Sequence, residues 1–419
     1  MNFLERIKKI GKKAGPGIIT GASDDDPSGI LTYLQSGFVY GFRTLWLTIF
    51  CLPLMYSVQE MAARIGYVTD KGLMRVIKEH YPRWILYVIG LISVTVITIN
   101  IGADLLAIGV VSERLTSISR FFWLPTAGVF ILFFTIFLSY PKFASVMKWL
   151  IISLFFYIVA AFYMGINWKH ALSATLIPSF SFGKDFLILF AAFLGTTISP
   201  YLFFWQADEE VEDRDEEKKK KHLKRFLVTK NELKHLSKDT FMGMFFSQVV
   251  TWFIVASAGQ AAIVYGAKEI ANFDQAALVL QPLLGGFAFL VFSLGIIGTG
   301  LIAIPVLAGS IGYALSEIFD WKEGIDKTFR EAKGFYMIII VSIFTGVAMN
   351  FLNLDPIRLL IYTAVLYTVI TPPLIFLLIR ISNSKKIMGQ RTNSWFSNVF
   401  GWLALLVTLA AAIFAIVVI

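Results

Sequence analysis

The sequence predicts an all-α polytopic membrane protein of eleven transmembrane helices, ten of them forming a five-plus-five inverted repeat whose first and sixth helices are unwound. Three observations predict it. The 419 residues are 57% hydrophobic and only 16% charged, whereas soluble domains carry about a quarter charged residues. Apolar runs of spanning length recur along the whole chain. The first and the sixth of these runs carry proline-centred interruptions set among polar residues.

The runs lie at 14–40, 44–64, 84–112, 121–140, 146–166, 185–208, 240–266, 284–318, 334–354, 357–380 and 397–418, each long enough to cross the hydrocarbon core. The first five, 14–166, make one repeat and the next five, 185–380, the other. The last run adds an eleventh helix to a single transmembrane domain covering 1–419. Pro282, Gly285 and Gly286 blur the start of the eighth run.

Lysine and arginine fix the expected orientation. With the N-terminus inside, 30 of the 37 fall in inner segments and seven outside, a steep positive-inside bias. The N-terminus is therefore expected in the cytoplasm and the C-terminus outside, in a bacterial-type plasma membrane. Spread in this way, the net charge of +9 is a topology signal and predicts no nucleic-acid partner; the expected surroundings are the lipid bilayer. The basic start (Arg6, Lys8, Lys9, Lys12, Lys13) leads into the first run without a small-residue cleavage motif, so no cleavable signal is expected.

The stretch 209–238 sets Glu209, Glu210, Glu212, Asp213, Asp215, Glu216 and Glu217 before four lysines, Lys218, Lys219, Lys220 and Lys221. It reads as a solvated cytoplasmic helix or flexible linker that aids topology and solubility. A lipid-binding basic patch is the alternative.

The first break is Gly21-Ala22-Ser23-Asp24-Asp25-Asp26-Pro27-Ser28-Gly29. One aspartate at the centre of a spanning helix costs about 2.5–3.5 kcal/mol. Three cost about 8–10 kcal/mol, and the eight flanking apolar residues return only about 4 kcal/mol. Pro27 and Gly29 break the helix, and non-helical backbone at that depth persists only where it lines a cavity or is buried in protein. The competing reading starts the first helix after Pro27 and leaves the aspartates as interfacial caps, but the run remaining to Tyr40 is short for a span.

The sixth run contains Gly195-Thr196-Thr197-Ile198-Ser199-Pro200-Tyr201. Pro200 removes one i→i−4 bond, which is expected to free the carbonyls near Thr196 and Thr197. A simple proline kink with threonine back-bonding is the alternative for this run taken alone. Taken together, the two breaks sit beside each other at the midplane of an inverted repeat, where secondary transporters bind substrate and coupling ions. Half-helix C-termini and unwound carbonyls attract cations, and Asp26 adds a formal charge. The donors are carboxylate, hydroxyl and carbonyl oxygens, which suit Mg²⁺, Ca²⁺ or Mn²⁺ better than Cu, Zn or Ni. The single Cys51 excludes a disulfide framework and any multi-thiolate site, and His80, His170, His222 and His235 all lie between apolar runs.

Other polar residues inside apolar runs are candidates for the ion pathway or its coupling. Asp104 lies within the third run, as a pathway acid or a hydrogen-bonded structural one. Glu60 precedes Arg64 by one turn, where an i,i+4 ion pair is expected. Asp24 and Asp25 form an inner vestibule that concentrates cations, or one of them caps the half-helix after Pro27. Thr368 and Thr371, ahead of Pro372-Pro373, supply hydroxyls to the site or help kink the tenth helix.

At these residues the chain resembles the natural resistance-associated macrophage protein (NRAMP) family of divalent-metal transporters, which have the leucine-transporter fold. The family's first-helix Asp-Pro-Gly-Asn stands here as Asp26-Pro27-Ser28-Gly29, and its sixth-helix Met-Pro-His as Ser199-Pro200-Tyr201. Further similarity lies in Arg64-Ile65-Gly66-Tyr67-Val68-Thr69-Asp70, in Ala103-Asp104-Leu105, and around Gly312 and Glu317. The resemblance implies a metal site at Asp26, Gly29, Thr196, Thr197 and Ser199. The family's asparagine and methionine ligands are Gly29 and Ser199 here, so the soft thioether is gone. The sixth-helix histidines are Tyr201 and Gln206, and the third-helix Asp-x-x-Glu is Asp104-x-x-Ala107. This pattern is similar to the NRAMP-related magnesium transporter branch, which implies uptake of Mg²⁺ and Mn²⁺ without proton coupling. Glycine and serine at the two ligand positions also leave room for a partly hydrated ion, as Mg²⁺ favours. The metal is cargo; no resident cofactor and no enzyme activity are expected.

Three other functions compete with this one. A proton-coupled Mn²⁺/Fe²⁺ importer retains coupling through Asp104. A carrier of organic substrates such as amino acids shares the fold, but three aspartates in the break argue against binding the substrate's carboxylate. An aspartyl-protease dyad of Asp26 and Asp104 needs the two carboxyls a few Å apart sharing one proton.

Overall fold

The computed structural model describes residues 15–137, 152–221, 228–266, 269–352 and 354–418. The basic start and the junction between the fourth and fifth apolar runs lie outside them. Among the described residues every regular element is a helix. The chain runs through α1 (Pro16–Asp24), α2 (Pro27–Tyr40), α3 (Trp46–Thr69), α4 (Leu73–His80), α5 (Arg83–Thr116), α6 (Arg120–Phe137), α7 (Ile152–Tyr163) and α8 (Trp168–Leu176). It continues through α9 (Lys184–Thr197), α10 (Tyr201–Lys221), α11 (Lys230–Tyr265), α12 (Ala288–Phe319), α13 (Lys333–Met349), α14 (Pro356–Ser382) and α15 (Trp395–Val418).

Every one of the eleven apolar runs carries helix, and the first and sixth are split into the pairs α1/α2 and α9/α10. Among the described residues, eight spans are long and apolar enough by themselves to cross a membrane, and Pro27–Thr44 with Trp46–Thr69 adds a pair bent by 108°. Short helical turns at Phe273–Ala277 and Gln281–Leu284 fill the Gly- and Pro-rich approach to α12. Aromatic and aliphatic side chains left exposed, such as Leu91, Phe133, Phe344 and Val417, make an apolar outer surface suited to lipid.

The broken helices are held in the middle of the bundle. α11 packs along both α1 and α2, α5 packs on α12, and α9 lies along α14. The α1/α11 contact is backbone to backbone: a Cβ at Gly243 would overlap the Gly17 carbonyl, and one at Gly21 would overlap Gly243. Small residues allow this approach, and in lipid close packing rather than hydrophobic driving force holds helices together.

The charged stretch after the second break differs from expectation. It is helical, as one of the two expected forms had it, but α10 continues the sixth span without interruption and its first turns are not solvated: Asp208, Glu209, Glu210 and Arg214 are buried, whereas Asp213 is exposed. The cause is tertiary: α10 lies against α3 so closely that a Cβ at Gly66 would overlap the Ala207 carbonyl. Arg214 also donates to the Tyr67 carbonyl and its guanidinium stacks over the Tyr67 ring, 4.9 Å from the centroid. Only past Lys221 does the helix leave the described residues. α11 then starts ten residues before the expected run, from a Thr229/Glu232 capping box.

Candidate ion-binding site

The first break is a change of helix at Asp25 and Asp26. α1 ends at Asp24, Asp25 turns the chain (φ −84°, ψ 59°), and Asp26 takes extended geometry (φ −71°, ψ 170°) as the N-cap of α2. Asp26 Oδ1 accepts from the Gly29 amide at 2.6 Å and from Ser28 Oγ at 2.9 Å. Pro27 occupies the first helical position, where a missing N–H costs nothing. The cap is thus Asp26, not Asp24 or Asp25 as the vestibule-or-cap reading had it. A Ser-Asp-Asp-Asp-Pro string offers several cap registers, and the proline at N1 selects the residue immediately before it.

The second break spans Ile198 to Pro200. α9 stops at Thr197, with Ile198 at φ −111°, ψ 63°, and α10 begins at Tyr201. Pro200 cannot donate to the Thr196 carbonyl, and the Ser199 hydroxyl does so instead at 2.6 Å. The Thr196 carbonyl is therefore not left free as expected. Thr371 Oγ1 on α14 reaches the Ile198 carbonyl at 3.4 Å, and Thr368 donates to the Ala191 carbonyl. The two threonines before Pro372 thus brace α9 as well as their own helix.

The two breaks meet. Tyr201 Oη donates to the Ser23 carbonyl at 2.8 Å, and Tyr33 Oη lies 3.2 Å from Thr197 Oγ1. Gly29 lies flush against the sixth helix: a Cβ there would sit 2.9 Å from Thr196 Oγ1 and 3.2 Å from Asp26 Oδ1. Asp26, Gly29, Thr196, Thr197, Ser199 and Tyr201 therefore belong to one locality. The Asp24 carboxylate also lies within reach of the Ser199 hydroxyl.

The acids divide into two groups around this contact. Asn100 Nδ2, on α5, donates to Asp26 Oδ2 at 2.9 Å and to Asp104 Oδ2 at 3.2 Å, bridging the two carboxylates. On the other side, Ser247 Oγ of α11 donates to Asp24 at 3.1 Å and Asp25 at 3.3 Å, and Thr251 reaches Asp25 at 3.5 Å. All four aspartates are buried. Asp24 Oδ1, Asp25 Oδ2, Asp104 Oδ1 and Asn100 Oδ1 have no hydrogen-bond partner, and no Lys or Arg forms an ion pair with any of the four among the described residues. Buried, unpaired carboxylate oxygens cost several kcal/mol each unless a cation or proton joins them.

Two candidates lie elsewhere. Gln206 Nε2 donates to Glu210 at 2.7 Å, so Gln206 faces its own helix and not Asp26. Glu60 forms the expected pair with Arg64, with Nε at 3.0 Å, and also accepts from Ser237 and Ser397; it ties α3 to α11 and α15. A cluster that sequence reasoning missed joins Asp208, Glu317 and Glu323, whose oxygens lie within 4.8 Å of one another.

Asn100, Ser247 and Thr251 were also missed as neighbours of the acids. Asn100 had a readable signal, an amide inside an apolar run one turn before Asp104. Ser247 and Thr251 had none, because only the packing of α11 on α1 brings them there.

The comparisons with known proteins agree with this architecture. The chain superposes on the manganese transporter of Eremococcus coleocola, solved with an aromatic bis-isothiourea compound, at TM-score 0.75 and 16% identity, covering 99% of this chain and 88% of that one. It also superposes on Mhp1, a nucleobase-cation-symport-1 family transporter in a closed conformation, at TM-score 0.52 and 12% identity, covering 96% and 93%. At these identities the likeness shows the leucine-transporter type of fold. The sequence profile of the natural resistance-associated macrophage protein-like family matches residues 17–418, nearly the whole chain. With its two helix breaks in contact and its acids gathered around them, the protein belongs to that family of transporters.

Proposed function

We propose that the protein is a secondary transporter that moves Mg²⁺ and Mn²⁺ across a bacterial-type plasma membrane by alternating access, without proton coupling. The ion passes through the contact of the two breaks, with Asp26, Gly29, Thr196, Thr197 and Ser199 facing it. One observation carries the reading: a dense group of buried carboxylate and amide oxygens, four of them unpartnered, meets two unwound backbones with no cationic side chain paired to it. A divalent ion supplies the missing charge. Asp26 provides the fixed negative charge, and the Thr196, Thr197 and Ser199 hydroxyls add neutral oxygens. Gly29, in van der Waals contact range of Thr196, keeps the backbone accessible to the ion or to its waters.

Selectivity follows from what those positions lack. Neither break carries sulfur or imidazole, so nothing there favours a transition metal over Mg²⁺. Glycine at 29 and serine at 199 place no bulky ligand side chain at these two positions, which suits an ion that keeps part of its water, as Mg²⁺ does. The divalent character of the cargo is also supported by the manganese transporter of similar fold. Against coupling, Asp104 shares its amide donor with Asp26, and the next acid position on α5 is the buried Ala107, so a relay has no second carboxyl on that helix turn.

Proteoliposome uptake of Mg²⁺ and of Mn²⁺, with a pH-sensitive dye inside, tests the reading. Both ions should enter and the lumen should not acidify. Entry of Mn²⁺ alone with lumenal acidification would instead establish the proton-coupled Mn²⁺/Fe²⁺ alternative.

A further inference from the structure

We propose that Asp208, Glu317 and Glu323 form a second divalent-cation site, separate from the two breaks, on the face that carries the 70–72 and 320–327 connections. Asp208 belongs to α10, Glu317 to the end of α12, and Glu323 to the connection after it. They line an open cleft of about 740 Å³, large enough for a hydrated ion to enter from solvent.

The cluster has the marks of a site and not merely of a charged surface. Asp208 and Glu317 are 4% and 1% exposed. Asp208 Oδ2, Glu317 Oε1 and Glu323 Oε2 are buried with no hydrogen-bond partner. All three carboxylates offer oxygens within 4.8 Å of one another, a spacing that one hard divalent ion bridges directly or through its own water.

Gly72 makes the convergence possible. A Cβ there would collide with Asp208 Oδ1 and Glu317 Oε1, while its backbone (φ −70°, ψ 172°) is open to any residue. Glycine is thus required for space, not for conformation, and the space it clears lies where the two carboxylates meet. The other Glu317 oxygen accepts the Met74 amide at 2.9 Å, which orients the carboxylate.

Three of the four basic side chains that line the cleft are paired with other acids. Lys71 pairs with Glu79 at 2.6 Å, Lys327 with Asp326 at 3.3 Å, and Arg75 with Asp320 at 3.7 Å, where Lys78 also binds. Three acidic groups held together without a dedicated counter-charge call for a cation of charge two. Its occupant would link α10, which continues directly from the second break, to the end of α12 and the start of α4.

The test uses the full-length protein in detergent with Mn²⁺ as the probe and its free EPR signal as the readout. Asp26→Asn weakens the central site and leaves the second one. That variant should still bind one Mn²⁺ per chain, and adding Asp208→Asn with Glu323→Gln should weaken this binding at least tenfold. Glu323→Gln alone, in a connection that tolerates substitution, should weaken it about threefold or more and covers the case in which the combined variant does not fold. Glu331→Gln, on the same cleft but bonded to Thr328, should leave the affinity unchanged. The proposal is overturned if the Asp26→Asn protein binds no Mn²⁺, if the loss of Glu323 has no effect, or if Glu331→Gln weakens binding equally. Failure of the transport reading would show separately, as undiminished uptake by Asp26→Asn vesicles.

Discussion

Replacing Asp26 by asparagine separates charge from architecture at the first break. Asparagine caps a helix about as well as aspartate, so the start of α2 survives, with the Gly29 amide and the Ser28 hydroxyl still donating to the retained oxygen. The new amide would face Asn100 Nδ2, but Asn100 Oδ1 has no partner, and turning that side chain over supplies an acceptor. The cost to folding is then about one hydrogen bond, on the order of 1 kcal/mol. The cost to ion binding is larger. A carboxylate and a divalent ion about 4 Å apart attract by about 8 kcal/mol at an effective dielectric of about 20. Desolvation offsets much of this, and removing one member of a buried charge pair typically costs about 3–5 kcal/mol. That corresponds to a loss of about 150- to 5,000-fold in affinity. The assay is Mn²⁺ and Mg²⁺ uptake into vesicles, read beside the melting temperature of the purified protein with and without each ion. Vesicle uptake within threefold of the native rate, together with an undiminished ion-induced rise in melting temperature, would refute the reasoning.

Three further outcomes are expected. Gly29→Ala introduces a Cβ 2.9 Å from Thr196 Oγ1, so the protein should fold but take up either ion at least tenfold more slowly. Tyr201→Phe deletes the only hydroxyl that bonds the Ser23 carbonyl among the described residues, a loss of about 1 kcal/mol; uptake should slow by a fewfold with the fold intact, as judged by gel filtration. Arg64→Leu strands the buried Glu60 carboxylate and should destabilise the protein by about 3–5 kcal/mol, whereas adding Glu60→Gln should restore most of the thermal stability.

The parts of this molecule readable from its sequence are those that a single segment decides. The eleven helical runs follow from hydrophobic length, both breaks from a proline beside polar residues, and the Glu60–Arg64 pair from one-turn spacing. What two segments decide was not readable. The 209–214 stretch looks solvated because seven acidic residues crowd 209–217, yet α3 and the end of α12 cover its first turns. Which aspartates face α5 and which face α11 depends on how α1 seats against Gly243. Gln206 is in register with the sixth-helix motif, but it sits two turns from the break and bonds Glu210 instead.

The distribution of basic side chains separates two kinds of buried acid. The buried Glu60 is met by Arg64, and the exposed Asp70 by Arg214 and Lys218. Such pairs are permanent, because removing either partner leaves an uncompensated charge. At Asp24, Asp25, Asp26 and Asp104 the neighbours are hydroxyls, the Asn100 side-chain amide and the Gly29 backbone N–H, which stabilise a carboxylate but leave its charge in place. A fixed arginine there would bar any other cation, since like charges in that space would cost several kcal/mol. Withholding the permanent counter-charge makes the acids costly to bury, and the close glycine contacts of α1 with α11 keep the packing tight enough to bear that cost. The same absence of an ion pair recurs at Asp208, Glu317 and Glu323, where Lys71, Arg75 and Lys327 pair with other acids. The two clusters are therefore alike in electrostatic design, and a cation that exchanges, unlike an arginine, can satisfy both.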